Sequence, residues 1–170
     1  NSVPQRQFDL WGECYMIENT DSLNLGNTGL TGTIPPEIGN LINLEYLFLY
    51  GNELTGEIPE EIGGLTNLKH LYLYDNGLTG QLPSSIGGLS SLTHLFLYGN
   101  ALSGSIPAEL GELSNLEKLF LYDNQLTGEL PSEINDLVHL EYLYINNNNL
   151  TGNIDSSICT LNLDWSNSLY

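Results

Sequence analysis

Apolar residues recur along this chain in a pattern that repeats every 24 residues. Most units read L-x-x-L-x-L-x-x-N-x-L-[TS]-G-x-[IL]-P-x-x-[IL]-x-x-L, with polar residues and glycine between the apolar positions. A fixed period of this length indicates stacked repeats, because a single unit cannot bury its apolar side chains without a neighbour. The pattern predicts an N-terminal cap over 1–19, six repeats over 20–43, 44–67, 68–91, 92–115, 116–139 and 140–163, and an incomplete C-terminal cap over 164–170.

Each repeat is predicted to contribute one short parallel strand, because apolar and other residues alternate in L-x-L. In the second repeat Leu47 and Leu49 point to the core. The residues beside them, Tyr46, Phe48 and Tyr50, point to the opposite face. After each strand, the same position of most repeats holds an asparagine, whose side-chain amide can bond backbone groups that the turn leaves unpaired. The residues at this position are Asn52, Asn76, Asn100, Asn124 and Asn148, with Thr28 in the first repeat.

The segment L-[TS]-G-x-[IL]-P resembles the diagnostic stretch of the plant-type leucine-rich-repeat family. It occurs at 30–35, 54–59, 78–83, 102–107 and 126–131. The resemblance implies an α/β-type repeat solenoid, a leucine-rich-repeat horseshoe with a concave parallel β-sheet. It also implies a second short strand around each Thr-Gly pair and 3-10 turns on the convex side. Polygalacturonase inhibitors and receptor-kinase ectodomains of plants share this architecture.

The two ends are more similar to secreted microbial members of the family, in segments 11–15 and 158–165. This resemblance implies an extracellular location, secreted or at the cell surface. Such members close with further cysteines, so Cys159 is expected to lack its family partner. Six strands at ~4.8 Å spacing would hold Cys14 and Cys159 ~25 Å apart, beyond disulfide reach in a straight array.

Charge narrows the possible function classes. The chain has 21 Asp and Glu against 3 Lys and Arg, a formal charge of -18. Such a charge repels phosphate backbones and anionic headgroups, which disfavours nucleic-acid and membrane-surface partners. No apolar run reaches the roughly 18 residues of a membrane-spanning helix. The two cysteines form no local motif, and neither a metal nor a cofactor is predicted.

Strand residues that point away from the core are predicted to form the ligand site, since packing does not constrain them. They fall into three columns across the sheet. The first column contains Tyr46, His70, His94, Lys118 and Tyr142. The second column contains Phe48, Tyr72, Phe96, Phe120 and Tyr144. The third column contains Tyr50, Tyr74, Tyr98 and Tyr122, followed by Asn146.

These columns hold eleven of the fourteen Phe and Tyr residues, so they form a contiguous aromatic surface. Surfaces of this kind usually mark binding sites, and rings at strand spacing can stack. We therefore predict an extracellular recognition module for a protein or polysaccharide, bound by ring stacking and hydroxyl hydrogen bonds. Two alternatives stay open. In the first, the stacked rings stiffen the sheet and bind no ligand. In the second, the chain is a self-associating structural or adhesive protein.

The first column also concentrates positive charge at His70, His94 and Lys118. A carboxylate or an acidic sugar could bind there, more strongly below the usual histidine pKa of about 6.5. Ordinary variation among exposed polar residues explains the same cluster without a ligand.

Asp75 and Asp123 occupy the same repeat position two strands apart, hence roughly 9 to 10 Å from each other. This separation is near that of inverting glycosidases, but an open sheet offers no pocket to raise a carboxyl pKa. We therefore predict no enzyme activity and no catalytic residue. Asp75 and Asp123 are retained as possible ligand contacts, and their alternation with Gly51 and Gly99 indicates a duplicated two-repeat unit.

Two further features have weaker functional alternatives. A column of hydroxyls could order water as ice-binding proteins do, but every plant-type repeat has this residue. Its members are Thr31, Thr55, Thr79, Ser103, Thr127 and Thr151. The ends of the stack expose core and strand edge unless a cap covers them. The N-terminal end can be covered by Phe8, Trp11 and Tyr15. At the C-terminal end Trp165 is a small cover for the core, so we predict that this end associates with another molecule.

Overall fold

The computed structural model describes residues 7–152 of the chain. They begin with an antiparallel hairpin of β1 (Gln7–Leu10) and β2 (Glu13–Met16). Trp11 and Gly12 form its turn, with φ of 51° and 84°. The side chains of Trp11 and Tyr15 pack against the hydrophobic core. The hairpin therefore covers the N-terminal end of the stack with two of the three aromatic residues expected there.

A six-stranded parallel sheet, called the concave sheet below, follows the hairpin. Its strands are β3 (Ser22–Asn24), β5 (Tyr46–Phe48), β7 (His70–Tyr72), β9 (His94–Phe96), β11 (Lys118–Phe120) and β13 (Tyr142–Tyr144). Each internal strand pairs with those of the preceding and following repeats, and residues 24 positions apart lie side by side. Equivalent side chains therefore form straight columns across the sheet, as predicted.

A second strand follows in every described repeat, near the Thr-Gly pair. These strands are β4 (Thr31–Gly32), β6 (Glu53–Gly56), β8 (Gly77–Leu78), β10 (Ser103–Gly104), β12 (Gln125–Gly128) and β14 (Asn149–Leu150). They form two three-stranded parallel sheets, linked by a bridge between Gln81 and Ser103. The second strands that the family resemblance implied are therefore present.

Short 3-10 helices form the side opposite the concave sheet. They are η1 (Pro36–Asn40), η2 (Glu60–Gly64), η3 (Ser84–Gly88), η4 (Ala108–Glu112) and η5 (Ser132–Asp136). A proline precedes each helix in extended conformation, as at Pro59 with φ -68° and ψ 142°. The fixed φ of proline suits this extended entry and defines where each helix begins.

The leucines of every turn form one continuous core between the sheet and the 3-10 helices. In the second repeat Leu44, Leu47, Leu49 and Leu54 are fully buried, and equivalent leucines of the next repeats pack on them. Each buried side chain of this size removes apolar surface worth about 1.5 to 3 kcal/mol from water. The predicted inward position of Leu47 and Leu49 is confirmed.

The asparagine after each strand bonds backbone groups of three segments. Asn100 Nδ2 donates to the carbonyl oxygens of Leu73 and Leu97, each at 3.0 Å. Asn100 Oδ1 accepts from the backbone amide of Leu78 at 3.1 Å. The repeats of Asn52, Asn76 and Asn124 show the same three bonds. This amide ladder, which the sequence predicted, fixes the turn and ties neighbouring repeats together.

Several predictions concern residues outside 7–152 or have no test within them. Cys159, Trp165, the C-terminal cap and the proposed C-terminal association all lie outside the described residues. The side chain of Phe8 is likewise not described. Cys14 is exposed and forms no disulfide with any described residue. The exact repeat and cap boundaries stay predictions.

Candidate functional site

The candidate site is the exposed face of the concave sheet, where the three predicted columns lie side by side. Strand register places Phe48 beside Tyr72, and Tyr72 beside Phe96. The leucines between these positions are fully buried, so the alternate residues face away from the core. All rings of the columns are half-buried, because they pack against one another above the sheet.

The second column is one continuous ladder of stacked rings. Centroids are 4.6 Å apart for Phe48 and Tyr72, 4.4 Å for Tyr72 and Phe96, 4.4 Å for Phe96 and Phe120, and 4.5 Å for Phe120 and Tyr144. The planes of Phe96 and Phe120 differ by only 4°. An internal ring such as Phe96 therefore has a neighbour against each face and offers its edge to a ligand.

The third column repeats this arrangement with tyrosines. Ring centroids are 4.7 Å apart for Tyr50 and Tyr74, 4.5 Å for Tyr74 and Tyr98, and 4.4 Å for Tyr98 and Tyr122, and the ring planes of each pair are nearly parallel. The outer face of Tyr50 covers Gly26, where an added Cβ would overlap the ring. Burial, followed by the neighbouring phenols, raises the pKa of Tyr98. The phenol of Tyr98 therefore stays protonated at neutral pH and can donate a hydrogen bond.

These ladders correct one part of the predicted binding mode. Stacking of a ligand on a ring requires a free ring face, but internal rings such as Tyr72, Phe96 and Tyr98 stack on both sides. The internal rings therefore present their edges outward, which carry the positive part of the aromatic quadrupole, together with phenol hydroxyls. A shallow depression of about 290 Å³ lies over this surface, lined by Phe96, Tyr98, Phe120, Tyr122, Tyr144 and Asn146.

The first column brings two histidines together. The rings of His70 and His94 have centroids 4.3 Å apart, and Tyr46 contacts His70 edge-on at 5.1 Å. On the other side, Lys118 is in register with His94, and its Nζ lies 5.4 Å from the centre of the Tyr142 ring. The predicted cluster of His70, His94 and Lys118 therefore exists in space.

The histidine charge differs from the expectation. Burial, then the nearby His70 and Lys118, lowers the pKa of His94 to about 4. Burial also lowers the pKa of His70, which Glu117 partly offsets. Both imidazoles are therefore neutral at neutral pH. They take up a proton only in more acidic solution than the usual histidine pKa would indicate. Lys118 is the cation of this cluster at pH 7.

The lysines of the concave sheet differ in their ion pairing. Lys69 Nζ lies 2.7 Å from Glu45 Oε2, with both side chains well exposed. Within residues 7–152, Lys118 makes no comparable ion pair. Its charge is therefore available to an anionic group.

Asp75 and Asp123 lie beyond the third column, where the chain turns away from the sheet. Both side chains are exposed and both backbones are left-handed, with φ of 53°. Asp123 Oδ1 accepts a hydrogen bond from Asn147 Nδ2 at 2.6 Å. The two carboxylates are thus on one rim of the aromatic surface, without an enclosed pocket between them.

The sequence did not reveal the role of left-handed turn positions next to the site. A Cβ on Gly51 would overlap Asn27 Oδ1, and one on Gly99 would overlap Asp75 Oδ1. Glycine at these two positions therefore leaves room for the side chain that the preceding turn directs across it. The alternation of Asp and Gly was interpreted as duplication, and this contact gives it a physical reason.

Metal binding, membrane insertion and ice binding each have requirements against which the described part of the chain can be compared. No cluster of three or more His, Cys, Asp or Glu residues among residues 7–152 is arranged to hold a metal ion. No helix in these residues has the length and apolarity to cross a bilayer. The hydroxyl column is largely exposed, but Thr55 Oγ1 donates to the carbonyl of Gly32 at 3.3 Å.

Family descriptions of leucine-rich repeats match most of the chain. The description "Leucine-rich repeat region" matches residues 23–127, and "Leucine Rich repeats (2 copies)" matches residues 114–167. No curated protein sequence matches the chain significantly.

Solved structures with this architecture include two plant-type receptors. A TDR receptor is 42% identical, with a TM-score of 0.85 over 88% of this chain and 26% of the receptor. The ectodomain of the Arabidopsis receptor kinase HAESA, solved with a peptide hormone ligand, is 36% identical. Its TM-score is 0.77 over 82% of this chain and 23% of the receptor. The chain spans about a quarter of the length of these receptor structures.

A plant ice-binding protein has a similar structure as well. It is 36% identical, with a TM-score of 0.76 over 91% of this chain and 50% of that protein. Proteins with different ligands therefore share the repeat architecture, and a function has to be argued from the exposed surface.

Proposed function

This chain belongs to the plant-type leucine-rich-repeat family, and we propose that it is an extracellular recognition module that binds extended polypeptides on its concave sheet. The observation that carries the proposal is the pair of aromatic ladders, one of five rings and one of four, that run across the concave sheet. They form a contiguous, partly exposed apolar surface with phenol hydroxyls along one side, and contiguous apolar surface often marks a binding site. The sixteen predicted contact residues are proposed as this site.

A polypeptide fits the ladders better than a polysaccharide. Sugar recognition by aromatic residues uses the ring face, and the faces of Phe96 and its neighbours are occupied. An extended peptide presents carbonyl oxygens, which suit the positive ring edges and the Tyr hydroxyls. Its side chains can lie in the depression above Phe120 and Tyr122. The polysaccharide alternative is therefore secondary.

The comparisons support the same ligand class. The HAESA structure contains a peptide hormone ligand, and that ectodomain shares 36% of its aligned residues with this chain. The matched receptors are several times longer, so the ligand of this chain is inferred from its own surface. The similarity to receptor ectodomains supports an extracellular location.

Display of short random peptides tests the proposal directly. Immobilised full-length chain should select peptides that lose binding in a Phe96→Ala/Tyr98→Ala variant, by about 1 to 3 kcal/mol for each aromatic residue. A Val138→Ala variant is the matched control, because Val138 is an exposed apolar residue outside the concave sheet. Peptides that bind the Phe96/Tyr98 variant as well as the unaltered chain would contradict the proposed site.

Ice binding is a second candidate function, favoured by one comparison and one surface. The plant ice-binding protein matches 91% of this chain, and a Thr or Ser recurs at the same position of every repeat, although the strand register places Thr31 opposite Glu53 and not opposite Thr55. Glu57 and Glu129 flank the column with exposed charges, which places this candidate second. Thermal hysteresis that disappears in a Thr79→Tyr variant would support ice binding over peptide recognition.

A further inference from the structure

The cations of this chain are concentrated on its ligand-binding face. The sequence has only 3 Lys and Arg, and two of them belong to the concave side: Lys69 directly precedes β7 and Lys118 begins β11. Glu45 pairs with Lys69 at 2.7 Å, whereas Lys118 has no such partner among residues 7–152. In a chain of formal charge -18, Lys118 is therefore a cation beside the aromatic ladders that has no direct ion pair among residues 7–152.

The hydrogen bonds of Thr93 orient the histidine beside this cation. Thr93 Oγ1 donates to the carbonyl oxygen of Lys69 at 3.1 Å. The same hydroxyl oxygen lies 2.9 Å from His94 Nδ1, within hydrogen-bond distance, and so holds the imidazole in its orientation. A proton taken up by the imidazole would create a second positive charge in register with Lys118.

The ring edges extend this positive surface into the second column. Lys118 and Phe120 belong to the same strand, and Phe120 presents its edge between Phe96 and Tyr144. Aromatic edges attract carbonyl and carboxylate oxygens, and ammonium groups attract carboxylates more strongly. The surface is thus complementary to a chain that combines a carboxylate with an extended amide backbone.

We propose that the ligand of the concave sheet is an acidic polypeptide segment, which places a carboxylate between Lys118 and His94 and its backbone across Phe96 and Phe120. This inference rests on the proposed function and narrows its ligand class. An acidic polysaccharide also has carboxylates, but its rings would need the aromatic faces that the ladders occupy. It is a separate outcome of the experiment below.

Binding of such a segment is coupled to proton uptake. The charged groups around the histidine pair are two cations, Lys69 and Lys118, and three carboxylates, Glu45, Glu117 and Glu141. Burial lowers the pKa of His94 to about 4 in the free protein. A bound carboxylate raises that pKa, since an opposite charge stabilises the imidazolium. Binding therefore tightens as the solution is acidified from about pH 7 to about pH 5, while ligand carboxylates remain ionised.

The probe is a library of short random peptides displayed on phage, selected on the full-length chain at mildly acidic pH. Selected peptides are expected to be enriched in Asp and Glu relative to the unselected library. The strongest peptide is then synthesised with its acidic residue and with the corresponding amide. The amide form should bind about tenfold more weakly, as loss of one charge-assisted contact predicts. Calorimetry at about pH 5 and about pH 7 measures the proton linkage.

Three variants separate the contributions of the cationic groups. Lys118→Gln should remove the enrichment in acidic residues, whereas Lys69→Gln should keep it because Glu45 already neutralises Lys69. His94→Gln should abolish the tightening of binding between about pH 7 and about pH 5, whatever its effect on the affinity at pH 7. Circular dichroism of each variant confirms that the fold is retained.

Each contrary result identifies which proposal fails. Peptides that depend on Phe96 but show no acidic enrichment would overturn the acidic ligand and leave peptide recognition standing. Peptides that ignore both Phe96 and Lys118 would overturn peptide recognition at this site. Retention of polygalacturonate oligomers without selection of any peptide would overturn both and favour an acidic polysaccharide.

Discussion

The carboxylate of Asp75 lies against Gly99, in the space that a Cβ at position 99 would occupy. Both backbones are left-handed, with φ of 53° at Asp75 and 65° at Gly99. Two repeats further along, Asp123 adjoins Asn147 rather than glycine, and Asn147 Nδ2 donates to Asp123 Oδ1. The turn thus accepts either glycine or an amide that bonds the preceding carboxylate.

Replacing Gly99 should therefore distinguish these two solutions. Gly99→Ala adds a methyl group against Asp75 at positive φ, and we expect a loss of about 1 to 3 kcal/mol in unfolding free energy. Gly99→Asn should lose less, because asparagine tolerates this backbone and can bond Asp75 as Asn147 bonds Asp123. Urea denaturation followed by circular dichroism measures both variants. Equal losses for Ala and Asn would contradict this account of the turn.

The amide ladder gives a second stability prediction. Asn100→Ala leaves the backbone groups of Leu73, Leu97 and Leu78 without their side-chain partner. We expect a loss of about 2 to 4 kcal/mol, because unpaired buried backbone groups cost about 1 to 3 kcal/mol each and water reaches some of them. Asn67→Ala is the control, since Asn67 makes one exposed bond to the carbonyl of Ile42. Comparable losses for the two variants would show that the ladder contributes little.

Neighbouring residues of one strand should separate stability from binding. Leu95→Ala removes a fully buried side chain, and we expect a loss of about 2 to 5 kcal/mol in unfolding free energy. Phe96→Ala should cost less stability, because its two stacked contacts contribute about 0.5 to 1.5 kcal/mol each beyond area burial. Thermal unfolding of both variants, with peptide binding measured on the folded protein, checks this division. A Phe96 variant that unfolds while its folded fraction binds normally would indicate a structural role for the ladders.

The sequence predicted those features that depend on backbone periodicity. The period of two residues in a strand is enough to place Leu95 and Leu97 inside and Phe96 outside, and the repeat spacing brings Phe96 beside Tyr72 and Phe120. The buried asparagines also follow from their fixed position after each strand. These features depend on alternation and register, which a sequence contains explicitly.

Features that depend on side-chain orientation were not predictable in the same way. The sequence places Phe96 in a column, but only the ring planes show that its faces are covered. The adjacent pair His70 and His94 was visible, whereas the shift of the His94 pKa to about 4 depends on burial by neighbouring rings. The contact of Asp75 with Gly99 similarly depends on two left-handed turns whose geometry lies outside any simple pattern.

The carboxylates on the rim give a catalytic prediction. Asp75 and Asp123 are exposed on an open surface, where water solvates both groups. We expect no hydrolysis of plant or algal polysaccharides, because neither carboxyl is enclosed as a general acid requires. Reducing-end assays on a substrate panel check this. Turnover that disappears in Asp123→Asn would reverse the conclusion.

The last prediction concerns the dependence of stability on pH through His94. Its folded pKa of about 4 lies below the unfolded value of about 6.5, so the unfolded chain binds this proton first. The stabilising effect of neutral His94 is therefore complete above about pH 6.5 and is lost as the pH falls towards about 4. Carboxylates titrate at the lower end of this window as well, which makes the difference between variants the informative quantity. Between about pH 6.5 and about pH 4.5, the melting temperature of His94→Gln should fall less than that of the unaltered chain. The control is His139→Gln, which changes an exposed histidine and should follow the unaltered chain. Parallel curves for the His94 variant and the unaltered chain would show that the imidazole of His94 is not held neutral by burial in the first column.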